Sequence, residues 1–446
     1  MTLNCLPNDN AYDLRVDVGV SPATLAPLLT QADIPAGTVF EDTLGGLQTD
    51  TKYYYRIMYR AAHNEVYYRV WHADSLGLDS GIYGFHTARD TTSQFVFTID
   101  SDSHRGGKGV PPDGHNLYHL MQINVAEDNP DFHFTLGDHV ALDGIDTTYA
   151  MAIATNQEMR QEMDSTRVPF FYVLGNHERE EGWLTDSVKV SAANARLALW
   201  PNPQVGGFYS GDTTQTACCG RRESYYSFEW GSALFVALDP FWYTDSSAIF
   251  THDRWNWTLG LDQYNWLYNT LSGSSATWKF VFIHHLTGGS TEYGRGGIEA
   301  VKHSVADSAT FEWGGENLAG ANVYAAYRPG WSHGPIHDML DTADVDIVFK
   351  GHDHGYVYQA LDGIVYQTVA HHGCTKQCYE AGFTLTYADS NSTKLNNPGY
   401  ERVTVYGQDS VRVEYVRTVW DGVEPLVEGT DSVYNKDVSH SYTLYP

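Results

Sequence analysis

The strongest constraint on this chain is a pattern that recurs five times between residues 95 and 354, an apolar run that stops abruptly on polar chemistry. The first run, Phe95-Val96-Phe97-Thr98-Ile99, closes on Asp100-Ser101-Asp102-Ser103-His104. The others close on Gly137-Asp138, on Gly175-Asn176-His177-Glu178, on His284-His285 and on Gly351-His352-Asp353-His354. Short runs rich in β-branched and aromatic residues read as buried strands. Between them, residues 116–126, 150–164 and 261–271 and a segment starting at 336 carry helical apolar spacing. Strands alternating with helices build a layered α/β sheet, and such sheets collect ligands beyond the carboxyl ends of their strands. All five clusters can therefore meet along one sheet edge.

Asp102 and His104 stand two apart, so on an extended backbone a carboxylate and an imidazole point the same way and can grip one cation. By the same rule His352 and His354 share a face. From the residues alone Asp100 competes with Asp102, and His285 with His284. Acids and imidazoles crowded together cost several kcal/mol in repulsion and desolvation unless cations neutralise them. The donors suit two ions about 3.5–4 Å apart that share a bridging carboxylate. His371 and His372 stay unassigned, because a single buried histidine is more often structural than a ligand.

Residues 1–90 read as a separate all-β unit, with strands over 14–20, 53–59 and 66–70, joined through a short polar hinge at 89–93 to the unit 91–446. In the latter, 224–239 reads as a hairpin and 402–406 pairs with 411–416 across a turn. The glycine-rich span 288–334 reads as a lid or pocket wall, and 374–397 as a polar insertion.

The chain has 27 basic and 55 acidic residues, a net charge of −28. That argues against nucleic acid as a general partner, since phosphate backbones require a basic footprint. An anionic substrate would then find its positive charge in bound metal. No run of about 18 apolar residues occurs, so no membrane span is expected. Residues 1–7 lack a basic stretch followed by an apolar one, so no export signal is read there. Abundant tyrosine and tryptophan, glycine-rich loops and little lysine nevertheless suit an exported protein, secreted or periplasmic. Of the five cysteines, Cys218 and Cys219 are adjacent and Cys374 and Cys378 are four apart. Two disulfides between those pairs, with Cys5 left over, are expected in preference to a zinc site, because the Cys-x-x-Cys spacing is absent.

The ordered set Asp-x-His, Gly-Asp, Gly-Asn-His-Glu, His and Gly-His-x-His resembles the signature of the calcineurin-like metallophosphoesterase superfamily. The resemblance covers residues 102–354. It implies a four-layer α/β sandwich, two mixed sheets flanked by helices. One metal would be held by Asp102, His104, Asp138 and His354, and a second by Asp138, Asn176, His284 and His352. Family spacing prefers Asp102 over Asp100 and the first histidine, His284, over His285. His177 matches the family histidine that approaches the phosphoryl or leaving-group oxygen, while Glu178 and Asp353 would orient their neighbours. The implied activity is hydrolysis of phosphodiesters or phosphomonoesters of small molecules, by in-line attack of a metal-bound hydroxide, with two divalent or trivalent ions of manganese, iron or zinc. Asp138 and His177 are the catalytic candidates, and Arg295 is the candidate for a phosphate contact.

The stretch 45–56, with Leu47, Thr51, Tyr53 and Tyr55, resembles the tyrosine corner of fibronectin type III domains, which makes 1–90 a fibronectin III-like sandwich. This layout is similar to that of purple acid phosphatases and of secreted alkaline phosphatases and phosphodiesterases. Purple enzymes carry tyrosine three residues after the bridging aspartate; here Ala141 stands there and His104 supplies a nitrogen, so no purple iron centre is expected. The rival reading is a non-catalytic binding or adhesion protein that keeps metals for structure.

Overall fold

The structure, a computed structural model, describes the chain apart from residues 1, 6–10, 38, 61–65, 70–80, 106–111, 143–147, 164–167, 181, 183–186, 245–253, 289–294, 304–308, 373–386, 388, 421–425 and 429–430. Side chains alternate along a strand, so Phe95, Phe97 and Ile99 leave one face of the strand Gln94–Asp100, and Thr98 and Asp100 the other. This strand lies inside a six-stranded sheet in the order Phe170–Tyr172, Phe132–Thr135, Gln94–Asp100, Gly399–Tyr406, Ser410–Arg417, Val438–Leu444. The first three strands are parallel, and the rest run antiparallel to their neighbours.

An eight-stranded sheet follows the order Ser210–Gly211, Tyr226–Trp230, Ala233–Ala237, Trp278–Ile283, Ile347–Lys350, Ile364–Thr368, Tyr356–Leu361, Thr393–Leu395. Its central strands, from Ala233–Ala237 to Ile364–Thr368, are parallel. The two sheets meet across a layer of phenylalanines: Phe95, Phe97, Phe132, Phe134 and Phe171 from the first, Phe228, Phe235, Phe280, Phe282 and Phe349 from the second. Phe134 and Phe282 stack with ring centroids 4.1 Å apart. Each such burial contributes about 1.5–3 kcal/mol, which fixes how the sheets face each other.

Helices cover the outer faces. Leu267, Leu271 and Leu340, from Leu261–Gly273 and Ile336–Thr342, pack on Val236, Val281 and Val348. Across the molecule, helices Pro112–Asp128, Tyr149–Met163 and Ser187–Leu199 pack on Tyr172, Tyr400 and Val416 through Met121, Val125, Met159, Ala195 and Leu199. The architecture is therefore mixed α/β. Apolar spacing does not reveal the helix Ser187–Leu199, whose buried face pairs three small alanines with Lys189 and Arg196 and so carries little apolar signal. The described part of 288–334 is a packed wall: Ile298, Ala300, Val301 and Trp313 belong to the core beneath the eight-stranded sheet.

At the amino end, Ala26–Ile34, Ala11–Gly19, Lys52–Arg60 and Tyr68–Arg69 form one sheet, joined by Tyr83–His86 against Lys52–Arg60, and Thr2–Cys5 pairs with Phe40–Thr43. Leu14, Val16, Phe40, Tyr53, Ile57 and Phe85 fill its core. Inside this unit the Gln48 N–H donates to the Tyr53 hydroxyl at 3.0 Å. The polar segment at 89–93 is anchored on both sides. Arg89 donates twice to Asp131, at 2.7 Å each, and the Ser93 hydroxyl donates to Asp50 at 2.8 Å.

The expected cysteine bridges are corrected where they can be seen. Cys218 and Cys219 are free thiols with sulfurs 3.6 Å apart, so neither makes the expected bridge to the second cysteine pair. Cys374 and Cys378 lie outside the described residues. Among the described residues, no helix is long and apolar enough to cross a membrane.

Candidate metal centre

The strand ends of both sheets converge at one edge. The loop after Gln94–Asp100 runs beside the loop after Phe132–Thr135: the N–H groups of Asp102, His104 and Arg105 donate to the carbonyls of Gly137, Asp138 and His139 at 3.0, 2.7 and 3.0 Å. The next loop presses on the second through glycines. A Cβ at Gly137 would overlap the backbone of Gly175, and one at Gly175 would overlap Asp138, so both motifs need glycine for close approach. A parallel backbone bridge between Ser101 and His371 joins the two sheets beside these loops.

Asp138 is the hub. Its Oδ2 lies 3.2 Å from His104 Nε2, 3.1 Å from His284 Nε2 and 3.8 Å from His177 Nε2. His284 Nε2 is also 3.1 Å from Asn176 Oδ1, and its Nδ1 donates to the Leu136 carbonyl at 2.7 Å. That bond turns Nε2 toward Asp138 and Asn176. Asp102 Oδ1 lies 3.2 Å from His354 Nε2 and 3.9 Å from His104 Nε2, yet this buried oxygen has no hydrogen-bond partner among the described residues. Imidazoles that face a buried oxygen without hydrogen-bonding to it are arranged as they would be around a shared cation.

Three sets of donor atoms lie within 4.8 Å of one another: Asp102, His104, Asp138 and His354; Asp138, His284 and His352; and His104, His354 and His371. The first two share Asp138, and Asn176 adjoins the second through His284. The seven residues expected from the sequence as metal ligands are thus brought together. This donor mix of carboxylate and imidazole suits zinc, iron or manganese.

The local backbone differs from the expectation. Asp102, His104, Asp138, His352 and His354 have φ of 62°, 52°, 52°, 70° and 61°. These left-handed conformations, which Asp and His tolerate better than most residues, cost roughly 1–2 kcal/mol each. Asp102 and His104 therefore converge through tight turns and not through strand alternation. His352 and His354 for the same reason fall in different donor sets.

Burial alone would raise the buried carboxyls. The imidazoles of His284 and His177 hold Asp138 well below the usual range, and His354 does the same for Asp102. Conversely, burial would lower His284, but the Asp138 carboxylate pushes it up to about 9. Burial depresses His352 and His354, the former also through Arg295. In each pair the charge of one group offsets the burial of the other.

The two open choices separate. Asp100 faces away from the site, 3.3 Å from His133 and 3.8 Å from His372. His285 packs against Trp257 and Phe241, and burial pushes it down to about 3. His177 stands outside all three donor sets with its side chain 30% exposed. Arg295 donates to the His352 carbonyl at 2.7 Å and lies 3.2 Å from Asp353. Asp353 also pairs with Lys350 at 2.7 Å and accepts the Gly296 N–H at 3.0 Å. Glu178 accepts N–H groups of Asp138, His139 and Gly175 at 3.0, 2.6 and 2.6 Å and the Tyr172 hydroxyl at 2.7 Å. It ties two of the site loops together. His371 joins the donors without having been assigned from the sequence, although its place directly after a strand of the eight-stranded sheet is a usable signal.

No family model matches the sequence, and no curated protein matches it either. Among solved structures, a purple acid phosphatase from yellow lupin (Lupinus luteus) seeds is similar over 100% of this chain and 72% of its own, with TM-score 0.60 and 15% identity. Looser similarity links the chain to GAP50, the anchor in the inner membrane complex of Plasmodium, over 79% of this chain and 89% of that one, with TM-score 0.43 and 14% identity. A Staphylococcus aureus protein described as a putative 5′-nucleotidase is similar over 70% of this chain and 51% of its own, with TM-score 0.36 and 14% identity. Over the aligned residues the chain shares the overall fold of the lupin purple acid phosphatase.

Proposed function

We propose that the protein is a dinuclear metal-dependent phosphoesterase of the calcineurin-like type, acting on small phosphodiesters or phosphomonoesters. The observation that carries this is the position of Asp138, whose single Oδ2 lies 3.2 Å from an imidazole of one donor set and 3.1 Å from an imidazole of the other. A bridging carboxylate between two ions is what that placement serves. Asp102, His104 and His354 would complete one position, and Asn176, His284 and His352 the other. When bound, the two cations supply a nucleophile at neutral pH, by lowering the pKa of water to about 7, and neutralise the phosphoryl oxygens.

The chain's own residues do the rest. His177 is held by its backbone N–H, which donates to Asp138 Oδ1 at 2.8 Å, and its partly exposed ring is placed to protonate a leaving group. Glu178 and the Lys350–Asp353–Arg295 cluster keep the donor loops in register. The enclosing architecture is read as the four-layer metallophosphoesterase sandwich, supported by the helices packed outside each sheet. The amino-terminal unit is read as fibronectin III-like, supported by the Tyr53 corner. Ala141 in place of a tyrosine argues against a purple iron centre, and an exported setting fits the composition.

The test is turnover of nitrophenyl mono- and diesters by metal-stripped protein reloaded with manganese, zinc or iron. Asp138→Asn is expected to abolish turnover and lower metal content. His177→Ala is expected to retain metal and slow turnover about 10²-fold or more. Absence of turnover with every metal and ester would move the reading to a metal-stabilised binding protein.

A further inference from the structure

The third donor set is the one the two-metal reading does not use. His371 lies 6% exposed, its ring centroid 5.0 Å from that of His354 and 5.6 Å from that of His104. The donor atoms of these three imidazoles lie within 4.8 Å of one another, so a small inward shift would bring all three to bonding distance, about 2.1 Å, of one cation. The framework fixes the residue in place. It follows the strand Ile364–Thr368, its backbone bridges to Ser101, and its ring stacks on His372 with centroids 5.5 Å apart. His354 also faces the buried Asp102 Oδ1, at 3.2 Å, which links this triad to the Asp102 position.

We propose that His371 is a third imidazole ligand on the Asp102 side of the centre, making that position prefer zinc or ferrous iron over manganese or magnesium. The inference rests on the two-metal reading. Counting donors, the Asp102 side would have three nitrogens, from His104, His354 and His371, and oxygens from Asp102 and Asp138. The other side would have two nitrogens, from His284 and His352, and oxygens from Asp138 and Asn176. Imidazole favours zinc, iron and copper, whereas oxygen donors suit magnesium and manganese. The two positions therefore differ in chemistry: the side with His371 is the more nitrogen-rich and more fully occupied by protein, and the opposite side keeps more room for water and substrate.

The experiment strips the full-length protein with a chelator and titrates it with Co²⁺, Zn²⁺ and Mn²⁺ against a chromophoric competitor, following Co²⁺ absorption. Wild type is expected to bind two ions. His371→Gln is expected to bind one of them more weakly by at least the roughly 10–100-fold that loss of a supporting hydrogen bond costs, to lose zinc-over-manganese preference there, and to alter the Co²⁺ spectrum. His337→Gln, comparably buried but hydrogen-bonded to Tyr366 and outside every donor set, is expected to behave as wild type. His371→Cys puts a thiolate at the same place, and Co²⁺ loading should then give a sulfur-to-metal charge-transfer band that wild type lacks. That readout stands even if the glutamine variant folds poorly. Unchanged affinities and spectrum in His371→Gln, or no charge-transfer band in His371→Cys, would overturn the assignment of His371 and leave two-metal binding intact. Wild type that binds neither Co²⁺ nor Zn²⁺ would overturn both.

Discussion

Glu401 sits fully buried in the strand Gly399–Tyr406, with neither carboxyl oxygen hydrogen-bonded among the described residues, and burial pushes its pKa well above 4.5. A carboxyl whose folded pKa is raised costs stability as pH climbs from the unfolded value through the folded one, at about 1.4 kcal/mol for each pH unit between the two. Glu401→Gln should therefore raise the melting temperature at neutral pH and change it little near pH 4; equal changes at both would refute the burial argument. His284 gives the opposite sign. In the metal-free protein it keeps its proton up to about pH 9, so a cation must expel that proton, and affinity should fall by up to about tenfold per pH unit below 9. Calorimetric titration with zinc in buffers of different ionisation enthalpy counts the released protons; none released near neutrality would contradict it.

At the scale of elements, Glu178 is the joint between the loop after Phe132–Thr135 and the loop after Phe170–Tyr172. Glu178→Gln aims amide hydrogens at backbone N–H groups that now find acceptors. The expected result is a loss of about 1–3 kcal/mol for each donor left without a partner and metal affinity reduced about 10–100-fold, read by thermal unfolding and metal titration. The elements themselves are largely legible in the sequence. Trp278–Ile283 and Leu261–Gly273 announce themselves because their apolar spacing is strong and turn residues bound them. Ser187–Leu199 is hidden because alanines bury little surface. The left-handed turns at Asp102 and His352 are invisible because strand alternation presumes extended backbone. Asp100 and Asp102 share parity, so alternation cannot part them; the left-handed turn at Asp102 does, leaving Asp100 against His133 and His372.

Over the whole molecule, the amino-terminal unit is joined to the larger one through Arg89, which forks onto Asp131 and lies 3.8 Å from Asp50. Trp230 also donates to Asp131, at 3.0 Å, so this one carboxylate gathers the junction. Arg89→Ala should uncouple the two units, splitting a single calorimetric transition or moving an early one lower; an unchanged single transition would mean that other contacts couple the units and Arg89 does not. The arrangement of the sheets has a wider consequence. Asp102, Asp138 and Asn176 hang from one sheet, and His284, His352 and His354 from the other, with the stacked phenylalanines between. The thickness of that aromatic layer is thus a calliper whose jaws are the two halves of the donor set. Shaving or enlarging a ring far from any cation would reset the opening of those jaws, and with it which ionic radius the protein accepts.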